Sequence, residues 1–473
     1  MKREQEFIKN SAILFFGTVF PRFISVIMLP VITGYLTKEE YGIYDLLITL
    51  ASLFLPIATL QMQASAFRFL IKERENHTGQ KLIISNIVLF TVPVCLAALT
   101  TLYFCMRNTH SSIKLLIINY YFTDTMLIMA RQIIRGLGKN KIYSVSVLMN
   151  SVIELVLVLV FLVQIGLGLN GVLYALTISQ GISLLYIIIR VNIISYIDIR
   201  LIALKEIKSL IDYSWPLIPN ALSSWVVRVS DRLVLSLFIG IEATAVYAVA
   251  NKLPSIFSVV QSTFSLAWQE NASETVNDKD SGEYYGKMFD RIYNIMVGIM
   301  ALLIAFTPFL FKILIKGDYD EAYNHMSILY IGVLFSTICS YLGGIYIAHM
   351  KSKEIGITTT IAALINLTVN LCFIKIVGVY AASISTAVCY IWLCIYRMRT
   401  IQKIQKINFN YKRIIELFII LCIISFINMQ RILWMDCINI LFSSSLFVGL
   451  NYELLKILLK TVIKKRKQNE TKY

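Results

Sequence analysis

Apolar runs of about twenty residues, the length that crosses a hydrocarbon core, follow one another along the whole chain. They fall near residues 11–36, 42–66, 82–106, 113–134, 142–165, 171–190, 213–239, 243–269, 288–315, 326–350, 354–377, 379–396, 414–430 and 434–458. The pattern predicts an all-α integral membrane protein of about fourteen transmembrane helices. The first run follows the polar start MKREQEFIKN and is too long for a signal h-region; it reads as a spanning helix retained in the mature protein.

Composition agrees. Of 473 residues 57% are hydrophobic and only 15% charged, against about 25% charged in soluble domains. The eight cysteines lie in or beside apolar runs without a CxxC pair or a Cys/His cluster. Small hydrophobes in helix contacts are the expectation there, and no metal site is expected.

The net charge of +16 changes meaning once its distribution is read. Of 44 Lys and Arg, about 33 lie in the even-numbered connections and the two tails, Arg131 and Arg397 among them, and about seven in the odd-numbered connections. This bias predicts both termini in the cytoplasm. The 33 set topology and touch anionic headgroups; they are not a nucleic-acid footprint. The connections expected outside are of turn length, the largest being about ten residues, Lys316 to His325. An enzyme working outside the membrane, such as a glycosyltransferase or polymerase, would need a larger loop.

The two halves repeat. All eight prolines lie in spans one, two and three (Pro21, Pro30, Pro56, Pro93) and seven, eight and nine (Pro216, Pro219, Pro254, Pro308). Proline bends a spanning helix and frees a carbonyl, so the matched placement argues for a duplicated six-helix unit. Residues 35–44 lie against 238–247, and 171–175 against 378–382. A parallel repeat of this kind is the plan of many secondary transporters. The expected divisions are 1–194 (spans one to six), 195–212 (a cytoplasmic amphipathic linker), 213–400 (spans seven to twelve) and 401–473 (spans thirteen and fourteen with a basic tail).

Charge at membrane depth is costly and marks function by default. Four basic residues sit inside spans and away from their ends: Arg22, Arg228, Arg232 and Lys252. The acidic ones are Asp45, Asp124, Glu154, Asp231 and Glu270. Arg228, Asp231 and Arg232 are spaced i, i+3, i+4 and share one helical face. If the two lobes face each other, the arginines of spans one and seven would meet in a central cavity suited to an anion, and their guanidinium forks to phosphate. The opposing reading has Asp231 neutralise one arginine and lock helix packing. Asp45, Glu154 and Asp231 are candidate ion-coupling residues or charge partners. Glu154 is read either as a proton or coupling-ion site or as a protonated hydrogen-bonding residue. Trp215, Trp225 and Trp268 are candidates for sugar stacking, anchoring or packing. No GxxxxGK[ST], GxSxG, triad or metal cluster is present, so neither an ATP motor nor catalysis is expected. Residues 135–139, RGLGK, read as a tight turn.

Residues 29–44 (LPVITGYLTKEEYGIY) resemble the first-hairpin signature of the polysaccharide flippases (Wzx-type) of the multidrug/oligosaccharidyl-lipid/polysaccharide superfamily. So do residues 230–240 (SDRLVLSLFIG), 246–253 (VYAVANKL), 264–268 (FSLAW), 135–139 and 358–385 with Asn366 and Asn370. The resemblance implies two six-helix lobes forming a V, two extra helices and alternating access. It further implies transfer of an undecaprenyl-diphosphate-linked oligosaccharide from the cytoplasmic to the outer leaflet of a bacterial inner membrane, for O-antigen, capsule or exopolysaccharide assembly. Related flippases line the cavity with arginines, which would bring Arg22, Arg228 and Arg232 to the diphosphate. Anionic lipids, a polymerase and glycosyltransferases are the expected partners, the chain itself a monomer. No cofactor is expected beyond H+ or Na+ as coupling ion. The rival within the same fold is a multidrug exporter.

Overall fold

In lipid a backbone must satisfy its own hydrogen bonds, and a helix does so within one segment. The computed structural model describes residues 20–106, 111–453 and 455–456, and every long element in them is helical. In chain order these are α1 (Phe20–Tyr35), α2 (Lys38–Thr59), α3 (Met62–Lys72), α4 (His77–Cys105), α5 (Ser111–Gly136), α6 (Asn140–Val158), α7 (Gly168–Val191), α8 (Leu204–Ser214) and α9 (Leu217–Phe238). There follow α10 (Ile241–Ala250), α11 (Lys252–Glu274), α12 (Ser281–Leu314), α13 (Asp320–Ala348), α14 (Ser352–Val377), α15 (Val379–Ile401), α16 (Tyr411–Met429) and α17 (Leu433–Leu450).

Ten of these helices, α6 taken with its π-helical end Leu159–Gln164, are long and apolar enough to cross a membrane, and the bent pair α10 and α11 makes an eleventh. The other three expected spans correspond to α1, whose first expected residues lie outside the described ones, to α9 and to α16. The last two interrupt their apolar runs with charge: Arg228, Asp231 and Arg232 in α9, Lys412, Arg413 and Glu416 in α16.

Two compact units result. One comprises Met1–Ala245 with Leu314–Asp318, the other Val246–Ile313 with Tyr319–Tyr473. By packing, α9 therefore belongs with the first six spans, although the sequence repeat pairs it with span one.

The first hairpin of unit one explains its own sequence. Thr37 caps α2 by accepting from the Glu40 amide at 3.2 Å, while Glu40 Oε2 accepts from the Thr37 amide at 3.0 Å. This reciprocal capping box satisfies two orphan donors. The other Glu40 oxygen accepts from the Leu169 amide at 3.1 Å, clasping the turn before α7. Gly168, at φ +55°, admits that carboxylate because a Cβ there would stand 2.4 Å from it. Gly42 lets the Ile241 carbonyl approach to where a Cβ would lie 2.3 Å away.

The second span is broken. Leu60 and Gln61 both adopt left-handed conformations, at φ 47° and 59°, and Thr59, Gln61 and Gln63 bond side chain to side chain across the break. Below it, Met62, Ala66 and Leu70 enter a core with Ile84, Ile87, Ile133, Ile134, Ile187 and Leu210. The linker docks on this end. Ser85 donates to the Tyr196 carbonyl at 2.9 Å and accepts from the Asp198 amide at 2.9 Å. Asn86 donates to the Leu201 carbonyl and accepts from the Ala203 amide, each at 2.9 Å. Two adjacent side chains thus supply the backbone partners that the short 3-10 turns before α8 leave unmet.

In unit two, α13 packs on α11 and α15, and α14 on α15. The connection from α15 to α16 crosses α12 at Gly282 and Gly286, where a Cβ would meet the Lys406 and Asn408 carbonyls at 2.3 and 2.7 Å. The Trp268 ring stacks on Tyr341 at 4.3 Å between centroids and donates Nε1–H to the Tyr341 carbonyl at 2.9 Å. Trp268 is therefore a packing residue.

Candidate functional site

Within unit one the intramembrane charges fall into two neighbourhoods. In the first, α9 lies along α2. Arg232 Nε donates to Asp45 Oδ2 at 2.5 Å, with side chains 15% and 9% exposed. Two helical turns earlier, Trp225 Nε1–H donates to the Thr49 carbonyl and to Ser52 Oγ, each at 3.1 Å. The pairings run antiparallel along matching stripes, since 225 to 232 and 45 to 52 are both seven-residue steps. The Trp225 ring is thereby committed to helix contact.

Asp231 is buried, at 1% exposure, and takes part in interactions of its own. The side chain of Arg228 lies outside the described residues; by spacing its Cα shares the face of Trp225 and Arg232. Arg22 on α1 is exposed, beside a stripe of Ile24, Met28, Leu29 and Ile32 that is buried.

The second neighbourhood joins α5, α6 and α7. Gln180 Nε2 donates to Asp124 Oδ1 at 3.0 Å, and its carbonyl accepts from Thr123 Oγ1 at 2.8 Å. Glu154 Oε2 accepts a long bond from Asn150 at 3.5 Å. Arg131 donates to Ser146 Oγ at 3.4 Å and to the Ser146 carbonyl at 3.1 Å. It interacts electrostatically with both Asp124 and Glu154. Glu154 in turn acts on Tyr44, the neighbour of Asp45, so the neighbourhoods adjoin. Sequence reasoning placed Arg131 among the topology-setting charges. The overlooked signal is its seven-residue step from Asp124, two turns along one face of α5.

Unit two holds the remaining candidates. Lys252 opens α11, half-buried and engaged with a neighbour, and Glu270 is exposed near the other end of that helix. Asn366 and Asn370 on α14 are fully buried, and Asn366 Nδ2 donates to Ser385 Oγ at 3.3 Å and Thr386 Oγ1 at 3.4 Å. Arg397, 4% exposed, was also counted with the headgroup charges. It donates instead to the Cys339 carbonyl at 3.1 Å, the Ile355 carbonyl at 3.3 Å, Thr358 Oγ1 at 3.0 Å and Thr359 Oγ1 at 3.0 Å. That knot ties α13, α14 and α15 together. Trp215 is 61% exposed, as an interfacial anchor is.

Residues 135 and 136 close α5, and 137–139 make the turn to α6. Gly138 has φ +76°, and Arg74 Nε donates to the Gly136 carbonyl at 2.9 Å. The Arg135 guanidinium faces the rings of Phe67 and Tyr143 at 4.8 and 5.4 Å. Burial pushes the Lys139 ammonium below the ordinary lysine range. No group of three metal-ligating side chains occurs among the described residues.

Comparison with known proteins bears on the family and the fold. A family model described as polysaccharide biosynthesis protein matches residues 7–268. The lipid II flippase MurJ in its inward closed conformation superposes with TM-score 0.72 at 15% identity, over 94% of this chain and 100% of that one. An inward-facing multidrug resistance transporter of the MATE family, of the MOP superfamily, gives 0.61 at 14% identity over 81% and 98%. A Pyrococcus furiosus MOP superfamily transporter, described as having a binding pocket of reverse polarity, gives 0.52 at 16% identity over 84% and 95%. At these identities the likeness establishes the fold. None of the curated proteins matches.

Proposed function

Because the chain belongs to the polysaccharide biosynthesis protein family, we propose that it is a flippase. In this reading it carries an undecaprenyl-diphosphate-linked oligosaccharide from the cytoplasmic to the outer leaflet, for O-antigen, capsule or exopolysaccharide assembly. The observation that carries the reading is the distribution of intramembrane charge. Asp45 neutralises Arg232, and in this reading Arg22, Arg228 and Arg232 are the guanidinium groups that receive the diphosphate. Guanidinium groups bind phosphate oxygens bidentately and keep their charge at membrane depth. Lys252, in the second unit, is the further cationic candidate.

Movement would follow alternating access between the six-helix repeats, 1–194 and 213–400, with 195–212 as the cytoplasmic linker and 401–473 appended. The protein would lie in a bacterial inner membrane as a monomer, both termini cytoplasmic. It would act beside a polymerase and glycosyltransferases and carry out no catalysis of its own. Asp124 and Glu154, facing a single Arg131, supply the carboxylates for H+ or Na+ coupling, with Asp45 and Asp231 as charge partners. Those same carboxylates favour one second reading, a multidrug exporter of the same fold, because cationic drugs seek acidic cavities.

The test is replacement of Arg22 and of Arg228 by alanine, scoring surface polysaccharide at matched protein levels. Loss of export in either supports the diphosphate site, and unchanged export in both sinks it. Drug sensitivity in a deletion strain with intact polysaccharide would favour the exporter.

A further inference from the structure

The final helix pair carries a polar stripe that neither topology nor the arginine site uses. On α17, Asp436, Asn439 and Ser443 follow at i, i+3 and i+7, and all three are buried, at 4%, 1% and 0% exposure. The opposite face of the same helix is apolar and open: Ile438 and Leu441 are 55% and 69% exposed. The helix thus turns its polar stripe inward and its apolar stripe to lipid.

Hydrogen bonding in the seam is incomplete. Asn439 Nδ2 donates to the Ile424 carbonyl at 3.0 Å and to Asn428 Oδ1 at 2.6 Å. Asn428 in turn donates to the Ile304 carbonyl and accepts at its own carbonyl from Tyr323 at 3.0 Å. Farther along, Asn451 Nδ2 donates to the Asn294 carbonyl at 3.5 Å. Yet Asp436 Oδ1, Asn439 Oδ1, Ser443 Oγ and Asn294 Oδ1 are buried with no hydrogen-bond partner among the described residues. In hydrocarbon each such atom costs several kcal/mol, and native structures satisfy buried polar atoms with protein or ordered water. The unmet atoms are all oxygens, electron-pair donors that accept from water or coordinate a hard cation. One is the oxygen of a carboxylate.

We propose that the seam where α17 packs on α12 and α16 is a water-filled crevice that admits small cations, with Asp436 at its mouth. Water supplies the missing donors, and the carboxylate sets the sign of the charge that enters. The crevice lies wholly within the second unit. The side on which its mouth opens, the outer one, rests on the orientation read from the loop charges.

The test uses the full chain with its native cysteines replaced, and probes Ser443→Cys with cationic and anionic methanethiosulfonates added to one side at a time. Only a hydrated thiol ionises and reacts, so a buried position in water and an exposed position in lipid give opposite results. Ser443→Cys is expected to react from the outer side and Leu441→Cys to stay inert. Asp436 lies about 10 Å away along the helix, close enough to favour the cationic reagent about tenfold, a preference that Asp436→Asn removes. Failure of Ser443→Cys to react from either side overturns the crevice. Equal rates for both reagents overturn its cation preference. Reaction only from the inner side overturns the position of its mouth. Radiolytic hydroxyl-radical footprinting of the unsubstituted protein checks the same point without a variant. Internal water should oxidise Phe447, which abuts Gly298 of α12, and spare lipid-facing Phe442; equal protection of both rings means a dry helix contact.

Discussion

Arg232 and Asp45 meet as a largely buried ion pair at 2.5 Å although 187 residues separate them in the chain. The pair does two things at once: it fastens α9 to α2, and it leaves neither charge uncompensated within the spans. Removing one partner should therefore be worse than removing both. Asp45→Ala alone is expected to cost about 3–5 kcal/mol, and Asp45→Leu with Arg232→Met to recover most of it. The thermal midpoint in detergent checks this, and a double variant as unstable as the single one refutes it.

Trp225 continues the same contact. Trp225→Phe keeps the ring and loses two acceptors, Thr49 and Ser52, for an expected cost of about 1 kcal/mol. Trp225→Ala should cost about 3–5 kcal/mol. If the ring instead stacked on sugar, export would fall far more than stability in both variants, which matched thermal and export measurements would reveal.

Ser85 and Asn86 hold the linker. Asn86→Leu strands the Leu201 carbonyl and the Ala203 amide, at about 1–3 kcal/mol for each group that water does not reach. Limited proteolysis should then cut between residues 193 and 203 faster than in the parent. Unchanged cutting would mean that α8 alone fixes the linker.

Arg397 should not tolerate lysine. Its guanidinium reaches acceptors on α13 and α14 simultaneously, a fork that a three-donor ammonium on a flexible stem does not reproduce. Arg397→Lys and Arg397→Ala are both expected to lower the yield of folded protein, by similar amounts. Full rescue by lysine would show that charge alone matters there.

The spans were legible because lipid leaves helices as the solution for an apolar run of sufficient length. The break at Leu60–Gln61 was not, since neither residue is the glycine or proline that usually marks such a turn. Arg131 and Arg397 were sorted with the headgroup charges because loop counting sees a residue's place along the chain and not the direction of its side chain. The α9 cluster was recognisable from its i, i+3, i+4 spacing, but Asp45 as the partner of Arg232 was not. That partner is set by which helices touch, and no local pattern records it.

The two left-handed residues at Leu60 and Gln61 divide the second span into halves with separate allegiances. The half before them is tied to α9 through Asp45, and the half after them to the linker helix, where Ser65 donates to the Leu210 carbonyl at 2.7 Å. A continuous helix would transmit any twist of the linker along its whole length. Here the hydrogen-bond ladder stops at the elbow, so torque from the linker is absorbed in a few backbone dihedrals before it reaches the ion pair.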